Sequence, residues 1–375
     1  MQRALVIILD SVGCGAAPDA AKYGDEGADT VGHILQKVPS LNIPTLRRLG
    51  WGQILGEGTQ SDASFGRLRP QSVGKDTTSG HWELMGAILD APFATFEKFP
   101  DELVEDIERR AGMKFIGNVV SSGTEVLAQL GEQSVATGCP ILYTSADSVL
   151  QIAAHEVHFG LEKLLHVCQA ARVVADEWKI GRVIARPFIG ENNVWTRTSN
   201  RRDYSILPPR TVLDALQAAG VQTTAIGKIH DIFAGRGIDK SLPTKSNAAG
   251  MDTIIAQWQS GEEGFFFANL VDFDTLFGHR RDVEGYAQAL EEFDTWLSNF
   301  VSQIAPTDLV MITADHGNDP TFPGTDHTRE EVPLVLFNQN RRDDVGTRPT
   351  FADVAATLGA FFNVEWETGK PLLKS

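Results

Sequence analysis

Three apolar runs, far apart in the chain, each stop on an acidic residue. ALVIILD ends at Asp10, GFFFANLVDFD at Asp274, and LVMITADH at Asp315 with His316 beside it. A buried strand reads as a nearly continuous apolar run, as strands of a parallel sheet do. Such distant strands pair in parallel only through crossover connections, which restricts the chain to an α/β architecture. In these sheets ligands collect outside the carboxyl ends of the strands, where the acids stand. His279 follows Asp274 by five residues, and His327 follows Asp315 by twelve, in PGTDHTRE. Carboxylate oxygens and imidazole nitrogens gathered there suit divalent metals such as Mn, Zn or Fe. The six residues Asp10, Asp274, His279, Asp315, His316 and His327 are enough for two ions. That points to two-metal phosphoryl chemistry. Each of them alone also reads as a turn, a helix cap or a structural hydrogen-bonding residue. Their conjunction at the ends of apolar runs favours the metal, with Asp272, Asp319 and Asp326 as neighbouring rivals.

Apolar runs alternate with helical patterns along both ends of the chain. Strands are predicted over 4–9, 223–229, 265–271, 309–313 and 333–337, and helices over 211–219 and 284–304. The expected fold is a mostly parallel central sheet flanked by helices. The middle has a different texture. It opens at Ala91-Pro92 and passes through PDELVEDIERRAG, a solvated helix closed by Gly112. Strand-like segments follow at 141–147 and 182–190, and the stretch closes at Pro208-Pro209. Asp10 precedes this stretch and Asp274 follows it. The expected organisation is therefore a discontinuous metal-binding core of residues 1–90 and 208–375, interrupted by a smaller α/β cap domain over 91–207.

A net charge of −16 argues against a nucleic-acid or anionic-membrane partner. Six apolar residues, 4–9, are too few for a secretory segment, which needs about 7–15. No run approaches the roughly 18 of a transmembrane helix. Cys14, Cys139 and Cys168 lie far apart without a CxxC pattern, as reduced thiols of a cytoplasmic protein do. The sequence leaves the oligomeric state open.

Residues 73–83 read VGKDTTSGHWE. A phosphate-binding GxxxxGK[ST] loop would need glycine at 69 and a hydroxyl at 76, but the chain has Arg69 and Asp76. Two threonines and a serine between glycines, ahead of a helix-like stretch, instead place a hydroxyl near a helix N-terminus that favours phosphate. A nearby divalent metal is one way to ionise such a hydroxyl as a nucleophile. The plainer reading is helix capping by Thr77 or Ser79. Arginines crowd the middle region: Arg182, Arg186, Arg197, Arg201, Arg202 and Arg210, with Lys228 soon after. Their planar forks suit phosphate oxygens.

These pieces together resemble the alkaline phosphatase superfamily and, within it, the bacterial phosphopentomutases. The likeness runs over essentially the whole chain. Its strongest segments are DSVGCGAAPDA, GKDTTSGHWELMG, YTSADSVLQIAAHE, GRVIARPFIG, TRTSNRRDY, NLVDFDTLFGHRRD and TADHGNDPTFPGTDHTRE. The resemblance implies an isomerase that interconverts α-D-ribose 1-phosphate and D-ribose 5-phosphate, and the 2-deoxyribose pair. The route would be a phosphothreonine enzyme and a sugar bisphosphate intermediate. It implies two Mn²⁺ ions, one on Asp10, Asp315 and His316 and the other on Asp274, His279 and His327. Thr77 would carry the phosphoryl group, primed by a catalytic sugar bisphosphate such as glucose 1,6-bisphosphate or ribose 1,5-bisphosphate. Asp147 would contact the sugar, and Arg182, Arg197 and Lys228 would grip the distal phosphate. The nearest rival is a phosphatase or phosphodiesterase of the same superfamily. A sulfatase would need a C-x-P-x-R segment, which none of the cysteines has. A non-catalytic metal-binding protein leaves the nucleophile and the arginines without a use.

Overall fold

In the computed structural model, the strand Arg3–Leu9 is buried at every position from Ala4 onward. Residues 2–145 and 148–372 are described; Asp147 lies outside them. The first strand is central because both of its edges are filled by equally apolar strands, Gly264–Leu270 and Leu309–Thr313, paired in parallel. The full order is Lys240–Leu242, Thr223–Ile226, Gly264–Leu270, Arg3–Leu9, Leu309–Thr313, Val332–Phe337, Ser64–Leu68 and Asp344–Arg348. Among the eight, Val332–Phe337 alone runs against the rest. The mostly parallel sheet expected from the apolar runs is the one observed.

Register decides where the strand ends meet. Leu9 pairs with Leu270, and Ile8 with Thr313, so three strands stop side by side. Asp10, the turn at Phe273–Gly278 and Asp315 therefore leave the sheet at one place. The helix Val283–Phe300 opens on Asp282, whose carboxylate accepts the Gly285 N–H. It buries Tyr286, Leu290, Phe293, Leu297 and Phe300 at helical spacing. The expected helix over 284–304 thus ends its α-helical part at Phe300 and closes in a 3₁₀ turn, Val301–Gln303. The strand expected over 223–229 stops at Ile226, and the chain turns through Gly227 to put Lys228 ahead of a short helix.

The chain divides into two compact units, Met1–Pro92 with Pro208–Ser375, and Phe93–Leu207. The second unit has its own six-stranded sheet: Ile116–Val120, Ile141–Thr144, Val149–His155, Arg182–Glu191 and Val194–Arg197 in order, with Arg202–Ser205 also on the long fourth strand. Helices Asp101–Ala111 and Leu161–Glu177 cover one face, burying Leu103, Ile107, Leu164 and Val167 against Leu142, Leu150, Ile152 and Val183. Helix Gly123–Thr137 covers the other, with Val126 and Leu127 against Ile141, Ala153 and Phe188. Among the described residues, no helix is long and apolar enough to cross a membrane.

Candidate metal centre

Asp10, Asp274, Asp315 and His316 are buried at the carboxyl edge of the main sheet. His316 Nε2 lies 3.5 Å from Asp10 Oδ1 and 3.3 Å from Asp315 Oδ2. Asp274 Oδ2 is 3.2 Å from His279 Nε2, and its Oδ1 is 3.4 Å from His327 Nε2. The two imidazole Nε2 atoms of His279 and His327 stand 3.2 Å apart. Ligands about 2.0–2.2 Å from a tetrahedral ion sit about 3.4 Å from one another. The observed separations match that spacing. His316 lies within reach of both groups, Asp10 with Asp315 and Asp274 with His327.

The surrounding bonds aim these atoms inward. With Nδ1 as donor, His316 bonds the Gly317 carbonyl, His279 that of Thr325 and His327 that of Lys75. All three Nε2 atoms then face the cluster, where a bound cation would take the place of their protons, the orientation that outer hydrogen bonds give metal-binding histidines. Asn269 Nδ2 donates to Asp10 Oδ2, Asn318 Nδ2 to Asp274 Oδ1, and the Ser11 N–H to Asp315 Oδ1. Ser11 holds a left-handed φ of 71°, a backbone cost of about 1–3 kcal/mol accepted where the chain leaves Asp10. Asp10 Oδ1 and Asp315 Oδ2 remain buried with no hydrogen-bond donor. His81 Nδ1 passes 3.0 Å from Asp315 Oδ2, but its hydrogen bond goes to the Thr77 carbonyl at 2.9 Å.

Three carboxylates at this spacing require positive charge. Burial, then the charges of Asp315 and Asp274, push the Asp10 carboxyl well above its ordinary range. Burial would raise Asp274 as well, but its bonds from His279 and His327 outweigh it and hold that carboxyl low. Burial works against charging His327, yet the Asp274 bond prevails and lifts it to about 9. His316 is held below its usual value by burial. Orphaned oxygens, converging nitrogens and a hard oxygen and nitrogen donor set all fit divalent cations.

The helix Thr77–Leu84 brings a hydroxyl to the same place. Asp76, not Thr77 or Ser79, caps it, accepting the Ser79 N–H at 3.0 Å and the Ser79 hydroxyl at 2.6 Å. Thr77 is left free of capping, with its Oγ1 3.2 Å from His316 Nε2. Gly80 makes this possible: a Cβ there would lie 2.0 Å from the Asp315 carbonyl oxygen. The rival acids are used elsewhere. Asp272 accepts the Asn247 N–H, Asp319 takes the Asp29 N–H and His33 Nδ1, and Asp326 pairs with Lys75. Lys228 is exposed beyond the carboxyl end of Thr223–Ile226, close enough for its charge to act on Asp10. Arg182 and Arg197 lie in the second unit, Arg182 on the long strand and Arg197 paired opposite Phe188. Asn269, Asn318, His81 and Ser11 were not singled out in the sequence. Only the adjacency of Asn269 and Asn318 to ligand-bearing segments pointed toward them.

Known proteins resemble the chain along nearly its whole length. A family described as the Metalloenzyme superfamily matches residues 2–366. A phosphopentomutase of Caldanaerobacter subterraneus subsp. tengcongensis is 48% identical over 97% of this chain and 95% of its own. One from Symbiobacterium thermophilum is 50% identical over the same shares. Among solved structures, a Pyrococcus horikoshii protein aligns with a TM-score of 0.52 at 14% identity, covering 98% of each chain. A Leishmania mexicana phosphoglycerate mutase aligns at 0.51 and 12%, covering 98% of this chain and 97% of its own. The α/β fold is shared with these neighbours. The chain is a metal-dependent enzyme of the Metalloenzyme superfamily and belongs, within it, to the phosphopentomutase family of isomerases.

Proposed function

We propose that the protein interconverts α-D-ribose 1-phosphate and D-ribose 5-phosphate, and the 2-deoxyribose pair, with Thr77 carrying the phosphoryl group between turnovers. The observation that carries the reading is the Thr77 hydroxyl, 3.2 Å from His316 Nε2 at the first position of its helix. Asp10, Asp315 and His316 would hold one divalent cation and Asp274, His279 and His327 the other, the division that gives each ion three protein ligands. The ions, Mn²⁺ in this reading, would neutralise the oxygens of the transferring phosphoryl group and ionise the threonine hydroxyl when bound.

In the forward direction the phosphothreonine gives its phosphoryl group to O5 of ribose 1-phosphate. The P–O bond to Thr77 breaks, one to O5 forms, and the O5 proton ends on the threonine oxygen. Thr77 Oγ1 then attacks the phosphorus at C1 of the resulting ribose 1,5-bisphosphate. That P–O bond breaks, the proton passes to the sugar oxygen, and ribose 5-phosphate leaves with the enzyme rephosphorylated. A catalytic sugar bisphosphate, glucose 1,6-bisphosphate or ribose 1,5-bisphosphate, would prime molecules that begin unphosphorylated. The unit Phe93–Leu207 would act as a cap that holds the sugar and keeps water from the phosphothreonine. Arg182, Arg197 and Lys228 would grip the distal phosphate, and Asp147 of YTSAD the sugar. The three free thiols support a reducing, cytoplasmic setting.

The test is an isomerisation assay. Mn²⁺-loaded protein with ribose 1-phosphate and a trace of bisphosphate should yield ribose 5-phosphate, and Thr77→Ala should abolish turnover while keeping two bound metals. Release of free phosphate at comparable rate without isomerisation would replace the mutase reading with a hydrolase.

A further inference from the structure

Side chains alternate across a strand, so Arg182, Ile184, Arg186 and Phe188 share one face of Arg182–Glu191 in the second unit. Pairing fixes their neighbours on that face. Gln151 stands beside Ile184 and Ala153 beside Arg186, and Tyr143 stands beside Gln151. On the opposite edge Asp203 is beside Ile184, and Arg197 beside Phe188. Ala153, Ile141 and Phe188 are packed under helix Gly123–Thr137, which makes that part of the face apolar. The remainder is polar and cationic.

Arg186 Nε donates to Gln151 Oε1 at 3.0 Å, which fixes the plane of its guanidinium. Arg201 is satisfied by Asp203 through two contacts of 2.6 Å. Arg186 and Arg197 have no carboxylate partner among the described residues. Arg197 Nη1 and the Tyr143 hydroxyl both lie over Gly123, where a Cβ would be 2.8 Å from the first and 3.1 Å from the second. Burial first, then Arg201 and Arg197 nearby, hold the Arg186 guanidinium below its ordinary range. The same three arginines act on the buried Tyr143 phenol. Arg182 lies apart: six positions separate it from Phe188, about 20 Å at roughly 3.3 Å per residue. Its guanidinium leans toward Asp203 at 3.9 Å.

We propose that Arg186, braced by Gln151, is the second fork of a phosphate pocket formed with Arg197 and the Tyr143 hydroxyl, and that it takes the sugar phosphate not being transferred. The assignment rests on the mutase reading and names the residue beside Arg197 that completes its grip. Two guanidiniums with no carboxylate partner among the described residues, both close enough for their charge to act on Tyr143, gain a partner when a dianion enters. Gln151 acts through Arg186 and is a positioning residue.

The test compares wild type, Arg186→Gln and Arg186→Lys in the isomerisation assay, with calorimetric titration of ribose 5-phosphate as a readout that needs no turnover. Losing a charge-assisted hydrogen-bonding fork should weaken Kd and raise KM about ten- to hundredfold, with kcat changed much less. Lysine should restore part of the loss, because it keeps the charge without the fork. Gln151→Leu should shift KM the same way by a smaller factor. A folded Arg186→Gln with Kd and KM within twofold of wild type overturns the assignment. If that variant fails to fold, an unchanged Kd in Arg186→Lys does so instead. A wild type that hydrolyses rather than isomerises would sink the mutase reading, and the titration would still decide whether Arg186 binds the sugar phosphate.

Discussion

A single methyl group at position 80 should silence the enzyme without unfolding it. The Cβ of Gly80→Ala would sit 2.0 Å from the Asp315 carbonyl oxygen and 2.7 Å from its carbon. Ordinary contact begins at 3.4 Å, so helix and strand end must part by about 1.4 Å, the difference between 3.4 and 2.0. Both struck atoms are backbone, and no rotamer change relieves them. The Thr77 hydroxyl, now 3.2 Å from His316 Nε2, would move beyond hydrogen-bonding distance. Misplacement by about 1 Å can cost about 100-fold in rate. Overpacking costs about 1–3 kcal/mol, and alanine returns about 1 kcal/mol in helix propensity. The net loss of about 0–2 kcal/mol leaves a folded protein. Turnover of ribose 1-phosphate should fall at least about 100-fold in kcat with KM nearly unchanged. Circular dichroism and metal content should show that fold and ions persist. A folded variant with kcat within threefold of wild type would refute the claim that this close approach sets the nucleophile.

Other outcomes follow from the same geometry. Glu330 is buried and accepts from the Gly15 and Thr30 amides and from the Thr30 and Thr328 hydroxyls, and burial pushes its carboxyl up to about 7. A raised folded value means that, between about pH 4.5 and 7, the native protein keeps a proton the unfolded chain has lost. Stability should therefore fall as pH rises through that window, by up to about 3 kcal/mol. Glu330→Gln should flatten the slope while lowering stability at acid pH, and an equal slope in urea unfolding of both proteins would remove Glu330 as its source. Exhaustive chelation should stop isomerisation and lower the melting temperature, since each ion at 100 times its Kd adds about 2.7 kcal/mol. Mn²⁺ should restore both, and His279→Ala should bind one ion fewer by elemental analysis. Full activity after chelation would exclude the metal reading.

The legible part of this protein was its apolar periodicity. Leu309–Thr313 and the strands beginning near residues 4 and 265 stood out because burial on both faces makes them nearly continuous apolar runs. An acid ending each run was conspicuous for the same reason. Ser64–Leu68 went unread: it is five residues long, contains a glycine and alternates in burial, so no continuous run marks it. Val149–His155 was hidden inside a segment read for its motif.

The supporting residues of the site were illegible for a deeper reason. Asn269 donates to Asp10 across 259 positions and Asn318 to Asp274 across 44, and only register between strands creates those bonds. The same holds for the arginines. In the sequence Arg182, Arg186 and Arg197 are members of one crowd. In the sheet, hydrogen-bond pairing puts Arg197 opposite Phe188, two steps from Arg186 and six from Arg182. Composition announces a cationic segment, but which of its cations stand near one another is a property of pairing. Register also separates the chosen carboxylates from their rivals. Asp319 spends its oxygens on the Asp29 and Thr321 amides and on His33, whereas Asp10 keeps one oxygen buried with no donor. An orphaned carboxylate oxygen is costly unless a cation satisfies it, so the unsatisfied atom of Asp10 is one that a bound cation would satisfy.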